Sequence, residues 1–308
     1  MEIHFSEKIN INGVPQYVSI RAERPNLPLL LYLHGGPGDA TLPLVLRYNS
    51  ELEKYFTVVI WEQRGTGKSY YKFGKNEKVC IDTYVQDTRS LIEILLKRFE
   101  QEKVFLVGHS WGSVIGLTFC KQYPEVIHTY IGCGQVVNIK KSSEIAYHFA
   151  AKHATGKAAA RLARTDFAYV GEHWLDDLLF VTKQVVKYKG SLYGASNYNK
   201  LVFDFIFSKE YTLKDLINRE KGSLQGIQYL WQELMNISFE DITSFAMPVI
   251  LIEGKFDYHV SSELAKEYFD TITSAKQFYL FEKSCHFPQW SEADKFNHIL
   301  ENLLNVGL

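Results

Sequence analysis

The chain has 308 residues, 46% hydrophobic and 22% charged, a balance that excludes intrinsic disorder and supports one large core or a core carrying an inserted subdomain. Its 34 basic and 35 acidic residues leave a net charge of −1, so no global field favours nucleic acid or an anionic membrane, and a small neutral or zwitterionic substrate fits better. Met1 to Lys8 contain neither a basic nor an apolar targeting segment, and no later stretch approaches the roughly 18 apolar residues of a membrane span, so a cytoplasmic protein is expected. Cys80, Cys120, Cys133 and Cys285 are scattered without C-x-x-C spacing and argue neither for a disulfide framework nor for zinc. No metal and no cofactor is expected.

Residues 3–22 alternate loosely around Asn12-Gly13 and predict an antiparallel edge hairpin. Leu29–Leu33 is an apolar run of the kind seen in strands buried on both faces, and it ends in His34-Gly35-Gly36-Pro37-Gly38. So many glycines force an irregular backbone whose N–H groups can face a ligand. A loop of this type after a buried strand is where a serine hydrolase takes an oxyanion donor, here the N–H of Gly36, although a plain strand-ending turn would read the same way. A helix over Leu42–Tyr55 and a strand over Thr57–Trp61 follow. The next loop, Glu62-Gln63-Arg64-Gly65-Thr66-Gly67-Lys68-Ser69, resembles a phosphate-binding loop only superficially, because Glu62 stands where the first glycine of G-x-x-x-x-G-K-[ST] is needed. It fits a structural brace, with Arg64 pairing a nearby carboxylate or carbonyls.

A helical pattern over residues 82–100, with Asp82 as a possible cap, leads to Val104–Val107 and then Gly108-His109-Ser110-Trp111-Gly112. This is G-x-S-x-G after a buried strand and before an apolar helix that stops near Tyr123-Pro124. A serine on a strained strand-to-helix turn leaves no room for a Cβ two positions to either side, and Gly108 and Gly112 supply that room. The N–H of Trp111 would then point to where an oxyanion forms at the helix N-terminus. Five residues alone do not separate a nucleophile elbow from a chance Gly-Ser-Gly turn. The remainder of the chain bears on that choice.

Ile127–Cys133 is a further strand, and the alternation so far is that of a parallel sheet covered by helices. From about residue 137 to 242 buried-strand runs disappear. Lys157–Arg164, Trp174–Tyr188 and Leu224–Met235 read as helices, so residues 137–242 predict a helical lid inserted between a first core part (1–136) and a second (243–308). The sheet resumes with Pro248–Ile252, followed by Asp257, and a last strand, Lys276–Phe281, is followed by His286. Ser110, Asp257 and His286 thus fall just past the carboxyl ends of strands, in the order Ser, Asp, His. Glu253 and Asp270 are rivals for the acid, and His34, His109, His259 and His298 for the base. Cys285 beside His286 reads as a reactive thiol or as a small neighbour.

The sequence resembles the α/β-hydrolases, and more narrowly the prolyl aminopeptidase (proline iminopeptidase) family, through His34-Gly35-Gly36-Pro37-Gly38, Glu62-Gln63-Arg64-Gly65, Gly108–Ser113, Gly254-x-x-Asp257 and His286. It departs at Glu62, where the family usually has Asp, and at His109, where it usually has Gly. The resemblance implies a mostly parallel sheet flanked by helices with an inserted helical lid. It also implies a serine hydrolase releasing N-terminal residues such as proline from short peptides, with glutamates of the lid holding the free amine. Acidic lid candidates are Glu172, Asp176, Asp177 and Glu233. The expected chemistry has Ser110 as nucleophile, His286 as base, Asp257 orienting the imidazole, and Gly36 and Trp111 N–H groups holding the oxyanion. A carboxylesterase or lactonase acting on small esters uses the same machinery, and a binding protein that reuses the fold is a third reading. The expected partner is a small-molecule or short-peptide substrate.

Overall fold

In the computed structural model, which describes residues 2–304, the chain begins with the hairpin β1 (Ile3–Ile11) and β2 (Val14–Ala22). Asn12 and Gly13 take φ of 49° and 82° between them, the left-handed values that a two-residue primed turn requires. β3 (Leu29–Leu33), α1 (Leu42–Tyr48), β4 (Thr57–Glu62), α2 (Ile81–Phe99), β5 (Val104–His109), α3 (Trp111–Gln122) and β6 (Ile127–Cys133) follow. Next come the helices α4 (Ile139–His153), α5 (Gly156–Leu162), α6 (Trp174–Lys187), α7 (Asn199–Ile206) and α8 (Leu213–Leu234). The chain closes with β7 (Val249–Gly254), α9 (Ser262–Thr271), β8 (Lys276–Phe281), α10 (Pro288–Ser291) and α11 (Ala293–Asn302).

The strands form one eight-stranded sheet in the order β1-β2-β4-β3-β5-β6-β7-β8. β1, β2 and β4 pair antiparallel, and every pairing from β4 to β8 is parallel. The unbroken apolar runs follow from this layering: Leu29, Leu31 and Leu33 of β3 enter the core on one face, Leu30 and Tyr32 that on the other. The period-2 alternation of a strand divides them between two helix layers. The fold is an α/β-hydrolase fold, a mostly parallel sheet flanked by helices.

β6 and β7 are sheet neighbours, so α4–α8 all project from a single crossover. The two ends of that crossover meet, with the Phe239 N–H donating to Val137 O at 2.9 Å and a bridge pairing Asn138 with Ser238. The helices carry a core of their own around Ala150, Leu162, Val181 and Val185. No helix of the described residues is long and apolar enough to cross a membrane.

Several boundaries differ from the sequence expectation. The helix expected over Leu42–Tyr55 breaks after Tyr48, because the buried Asn49 turns its amide to Gln289 O (3.0 Å) and Asn297 Oδ1 (2.9 Å), and a short 3₁₀ turn completes the segment. α2 is capped by a reciprocal Cys80–Thr83 box, leaving Asp82 in the first turn. α8 starts at Leu213, behind a Thr212–Asp215 capping box, rather than at Leu224. α4 and α7 have no counterpart in the helices expected from sequence.

Candidate active site

Ser110 joins β5 to α3 with φ 53° and ψ −119°, a backbone that L-residues rarely adopt. The flanking glycines make it possible: a Cβ on Gly108 would lie 2.7 Å from Gly112 O, and one on Gly112 would lie 2.1 Å from Leu33 O. Local bonds lock the turn. The Ser110 N–H donates to Cys133 O at 3.1 Å, and its carbonyl accepts the Ser113 hydroxyl at 2.6 Å.

Asp257 follows β7 and His286 follows β8. Asp257 Oδ1 accepts the N–H groups of His259 (2.8 Å) and Val260 (2.9 Å), and Oδ2 meets His286 Nδ1 at 2.8 Å. Both side chains are buried. Burial lowers His286 from its ordinary range to about 3, which keeps the ring neutral, and raises Asp257 to about 7, against the two backbone N–H groups on Oδ1 that favour its carboxylate. The carboxylate at Nδ1 orients a neutral ring with its proton on that nitrogen, leaving Nε2 as acceptor. His259 stacks on His286 at a centroid distance of 4.7 Å, and His109 Nε2 donates to His286 O at 2.9 Å, tying the elbow to the histidine loop.

The rival residues are engaged elsewhere. Glu253 accepts the Gln135 N–H (2.9 Å), and Asp270 pairs with Lys266 on the surface of α9. His34 bridges Gly35 O and the Gln63 N–H, and His298 lies exposed beside Glu301. The Cys285 thiol is buried against Lys189 O at 3.3 Å, and burial pushes it up to about 12. That is a packing neighbour rather than a reactive thiol.

Gly36 has φ 132°, with its Cβ position 2.5 Å from Gly38 N. Gly36 and Trp111 border the same cavity as Ser110 and His286. Trp111 opens α3, so its N–H is among the first-turn groups that have no intrahelical acceptor. Its indole donates to Gln63 Oε1 at 2.9 Å and anchors the next loop. In that loop Arg64 grips the buried Asp87 with Nε (2.6 Å) and Nη2 (2.7 Å), which makes it a brace between β4 and α2. Glu62, also buried, accepts the Tyr211 hydroxyl and, at 2.6 Å, the Lys68 N–H, and burial raises it to about 7.

α8 lies directly on these loops. A Cβ on Gly222 would meet Gly65 O at 2.6 Å and Thr66 Cα at 2.8 Å, and one on Gly38 would meet Gly222 O at 2.2 Å. Thr66 Oγ1 in turn donates to Gly38 O (2.5 Å) and Asp39 O (2.8 Å).

Between this floor and α4, α6, α7 and α8 lies a cavity of about 650 Å³. None of Glu172, Asp176, Asp177 and Glu233 lines it. Glu172 is exposed before α6; Asp176 and Asp177 sit in the first turn of α6, with Arg161 donating to the Asp176 carbonyl and pairing with Asp177 at 3.8 Å. Glu233 caps α2 through the Ile81 N–H at 2.8 Å. The helical phase explains this correction: α8 presents Leu216, Glu220, Ser223, Ile227 and Trp231 to the cavity, and Glu233 lies off that stripe. The cavity's acidic side chains are Asp39, paired with Arg219, and Glu220. Sequence reading missed both; the 216–220–223–227 spacing was the available signal for Glu220. Among the described residues, no group of three or more His, Cys, Asp or Glu side chains converges as metal ligands would.

Residues 52–289 match the family described as serine aminopeptidase, S33. A probable aminopeptidase of Bacillus subtilis, YbaC, is 30% identical over 303 residues, covering 97% of this chain and 95% of its own. A proline iminopeptidase of Thermoplasma volcanium is 22% identical over 306 residues, covering 97% and 96%. Among solved structures, proline iminopeptidase of Mycobacterium smegmatis superposes with a TM-score of 0.70 at 17% identity, over 98% of each chain. A 2-hydroxy-6-oxo-6-phenylhexa-2,4-dienoate hydrolase of Rhodococcus gives 0.67 at 16% identity, over 99% of this chain and 100% of its own, a likeness of fold alone. With its family match spanning most of the sheet and a relative aligned from end to end, the chain is a hydrolase and belongs to the serine aminopeptidase S33 family.

Proposed function

We propose that the protein is a Ser-His-Asp hydrolase that releases N-terminal residues, such as proline, from short peptides through an acyl-enzyme. Ser110 Oγ attacks the scissile carbonyl as His286 Nε2 takes its proton, and Asp257 holds the imidazole in the required tautomer and stabilises it once charged. The N–H groups of Gly36 and Trp111 receive the oxyanion, each donor being worth about 3 kcal/mol in comparable enzymes. The imidazolium then protonates the leaving amine, and water activated by His286 clears the acyl group. The observation that carries this reading is the 2.8 Å bond by which the buried Asp257 holds His286, which lines the same cavity as Ser110. The names of the Bacillus and Thermoplasma relatives favour an aminopeptidase. The substrate's ammonium group would meet Asp39 and Glu220, the acidic side chains that line the cavity.

The largely apolar wall and the neutralisation of Asp39 by Arg219 favour a second reading, a carboxylesterase or lactonase acting on small esters. A panel of aminoacyl-arylamides against short acyl esters separates the two. Turnover of arylamides with a free amine, abolished in Ser110→Ala, is the expected result; turnover of esters alone overturns the peptidase reading. Full activity in Ser110→Ala overturns the mechanism.

A further inference from the structure

His259 touches both Asp257 and His286. Its backbone N–H donates to Asp257 Oδ1 at 2.8 Å, and its ring lies on the face of His286, with centroids 4.7 Å apart and planes 16° from parallel. The ring is also held at its edge: Nδ1 lies 3.3 Å from Ser191 Oγ, which itself lies 2.5 Å from the Tyr198 hydroxyl. His259 does not have the geometry of the base, because the free carboxylate oxygen, Asp257 Oδ2, bonds His286 instead. The rings of His109 and Phe287 are tilted from His286 by 44° and 71°. Among the described residues, His259 therefore supplies the parallel face against the imidazole.

Resting on the Ser-His-Asp reading, we propose that His259 is a positioning residue, a neutral imidazole whose π face backs His286 and stabilises the positive charge that His286 acquires on taking the Ser110 proton. Two arguments support this. The bond to Asp257 acts in the ring plane at a single nitrogen, and it leaves the imidazole able to swing about the axis of that bond. A parallel ring against its face opposes the swing and keeps Nε2 aimed. The second argument is electrostatic. The face of an aromatic ring is negative, and a cation within about 6 Å of its centroid is attracted to it, most strongly where water is excluded. His286 is buried, and while neutral it gains little from this attraction. The contact therefore strengthens only as charge develops, which is the condition for accelerating the chemical step. His259 must itself be uncharged. Burial lowers it to about 4, with the neighbouring His286 adding to the shift and Asp257 opposing it.

The test follows labelling of Ser110 in the intact protein by a fluorophosphonate probe. That step forms the bond from Ser110 Oγ to phosphorus, expels fluoride and passes the serine proton to His286, so it needs no known substrate. It is read as a maximal labelling rate and a half-saturating probe concentration. His259→Leu keeps an apolar side chain of comparable size without a π face, and should lower the maximal rate about ten-fold while half-saturation stays within about two-fold. His259→Phe returns the face and should recover most of that loss. Thermal unfolding checks that each variant is folded, and His259→Met, a more adaptable side chain, takes the place of His259→Leu where it is not. An unchanged maximal rate in the folded variant without a ring, an equal loss in His259→Leu and His259→Phe, or a change confined to half-saturation overturns the proposal and leaves the triad standing. A wild-type protein in which mass spectrometry finds no label on Ser110 removes the Ser-His-Asp reading itself.

Discussion

Gly222→Ala tests whether α8 is a seated part of the site or a loose cover. The added methyl would lie 2.6 Å from Gly65 O and 2.8 Å from Thr66 Cα, against the roughly 3.5 Å at which carbon contacts become favourable. Helix or loop must therefore yield by about 0.7 Å, the difference between the present 2.8 Å to Thr66 Cα and that contact distance. Two terms oppose each other in stability: alanine improves helix propensity by about 1 kcal/mol, and overpacking costs about 1–3 kcal/mol. The net loss is at most about 2 kcal/mol by these figures. Activity should fall much further. Thr66 bonds Gly38 O and Asp39 O, so the displacement passes to the loop that presents Gly36, and an error near 1 Å can lower turnover about 100-fold. The assay pairs kcat and KM on the best arylamide with thermal unfolding, using the exposed Lys221→Ala as control. A Gly222→Ala protein that is more stable and has unchanged kcat refutes the reasoning, since propensity alone would then account for it.

Arg64→Ala should destabilise the fold by about 3–5 kcal/mol in chemical denaturation, because it strands the fully buried Asp87 carboxylate without its bidentate partner; a loss below about 1 kcal/mol would place the brace among weak surface pairs. Glu62 is raised from 4.5 to about 7, so the folded protein holds a proton there that the unfolded chain releases. The resulting stability is present below about pH 4.5 and is lost as pH rises through 7. Glu62→Gln should therefore gain on the wild type between pH 5 and pH 8, by up to about 3 kcal/mol, and an equal difference at both pH values contradicts this. Iodoacetamide at neutral pH should leave activity intact, since the Cys285 thiol is buried and raised to about 12; rapid inactivation traced to Cys285 by mass spectrometry would restore it as a reactive group.

How far the sequence discloses the molecule depends on how local the determining signal is. The hairpin at Asn12-Gly13 and the strands β3, β5 and β7 are legible because a turn dipeptide or a buried run specifies each one. The positions of Ser110, Asp257 and His286 after the ends of β5, β7 and β8 bring them to one edge of the sheet, and the structure joins the last two by a hydrogen bond. The helical insertion is harder to read. The first half of α8 is polar, since its outer face is solvated, and Gly222 in it serves close approach to Gly65 and Thr66. Charge alone picks out Glu172, Asp176, Asp177 and Glu233, but helical phase determines which side chains face the cavity. Asp39 was hidden for another reason. Its place in the cavity wall depends on the turn at Gly36–Gly38 and on Arg219, 180 residues further along the chain.

The seating of α8 also bears on how such proteins can be recombined. Ser110, Asp257 and His286 all stand on the sheet scaffold, and the His109–His286 bond links two of their loops without help from α4–α8. A chimera that imports another protein's helical segment between Val137 and Phe239, where the two ends of the crossover meet, would keep that constellation. It would still need glycine at the positions of Gly222 and Gly226, because Gly222 rests on Gly65 and Thr66, and Gly226 on Pro37. Grafts that preserve this pair of small residues should inherit the chemistry with a new specificity, and grafts that lose it should fold around a disordered centre.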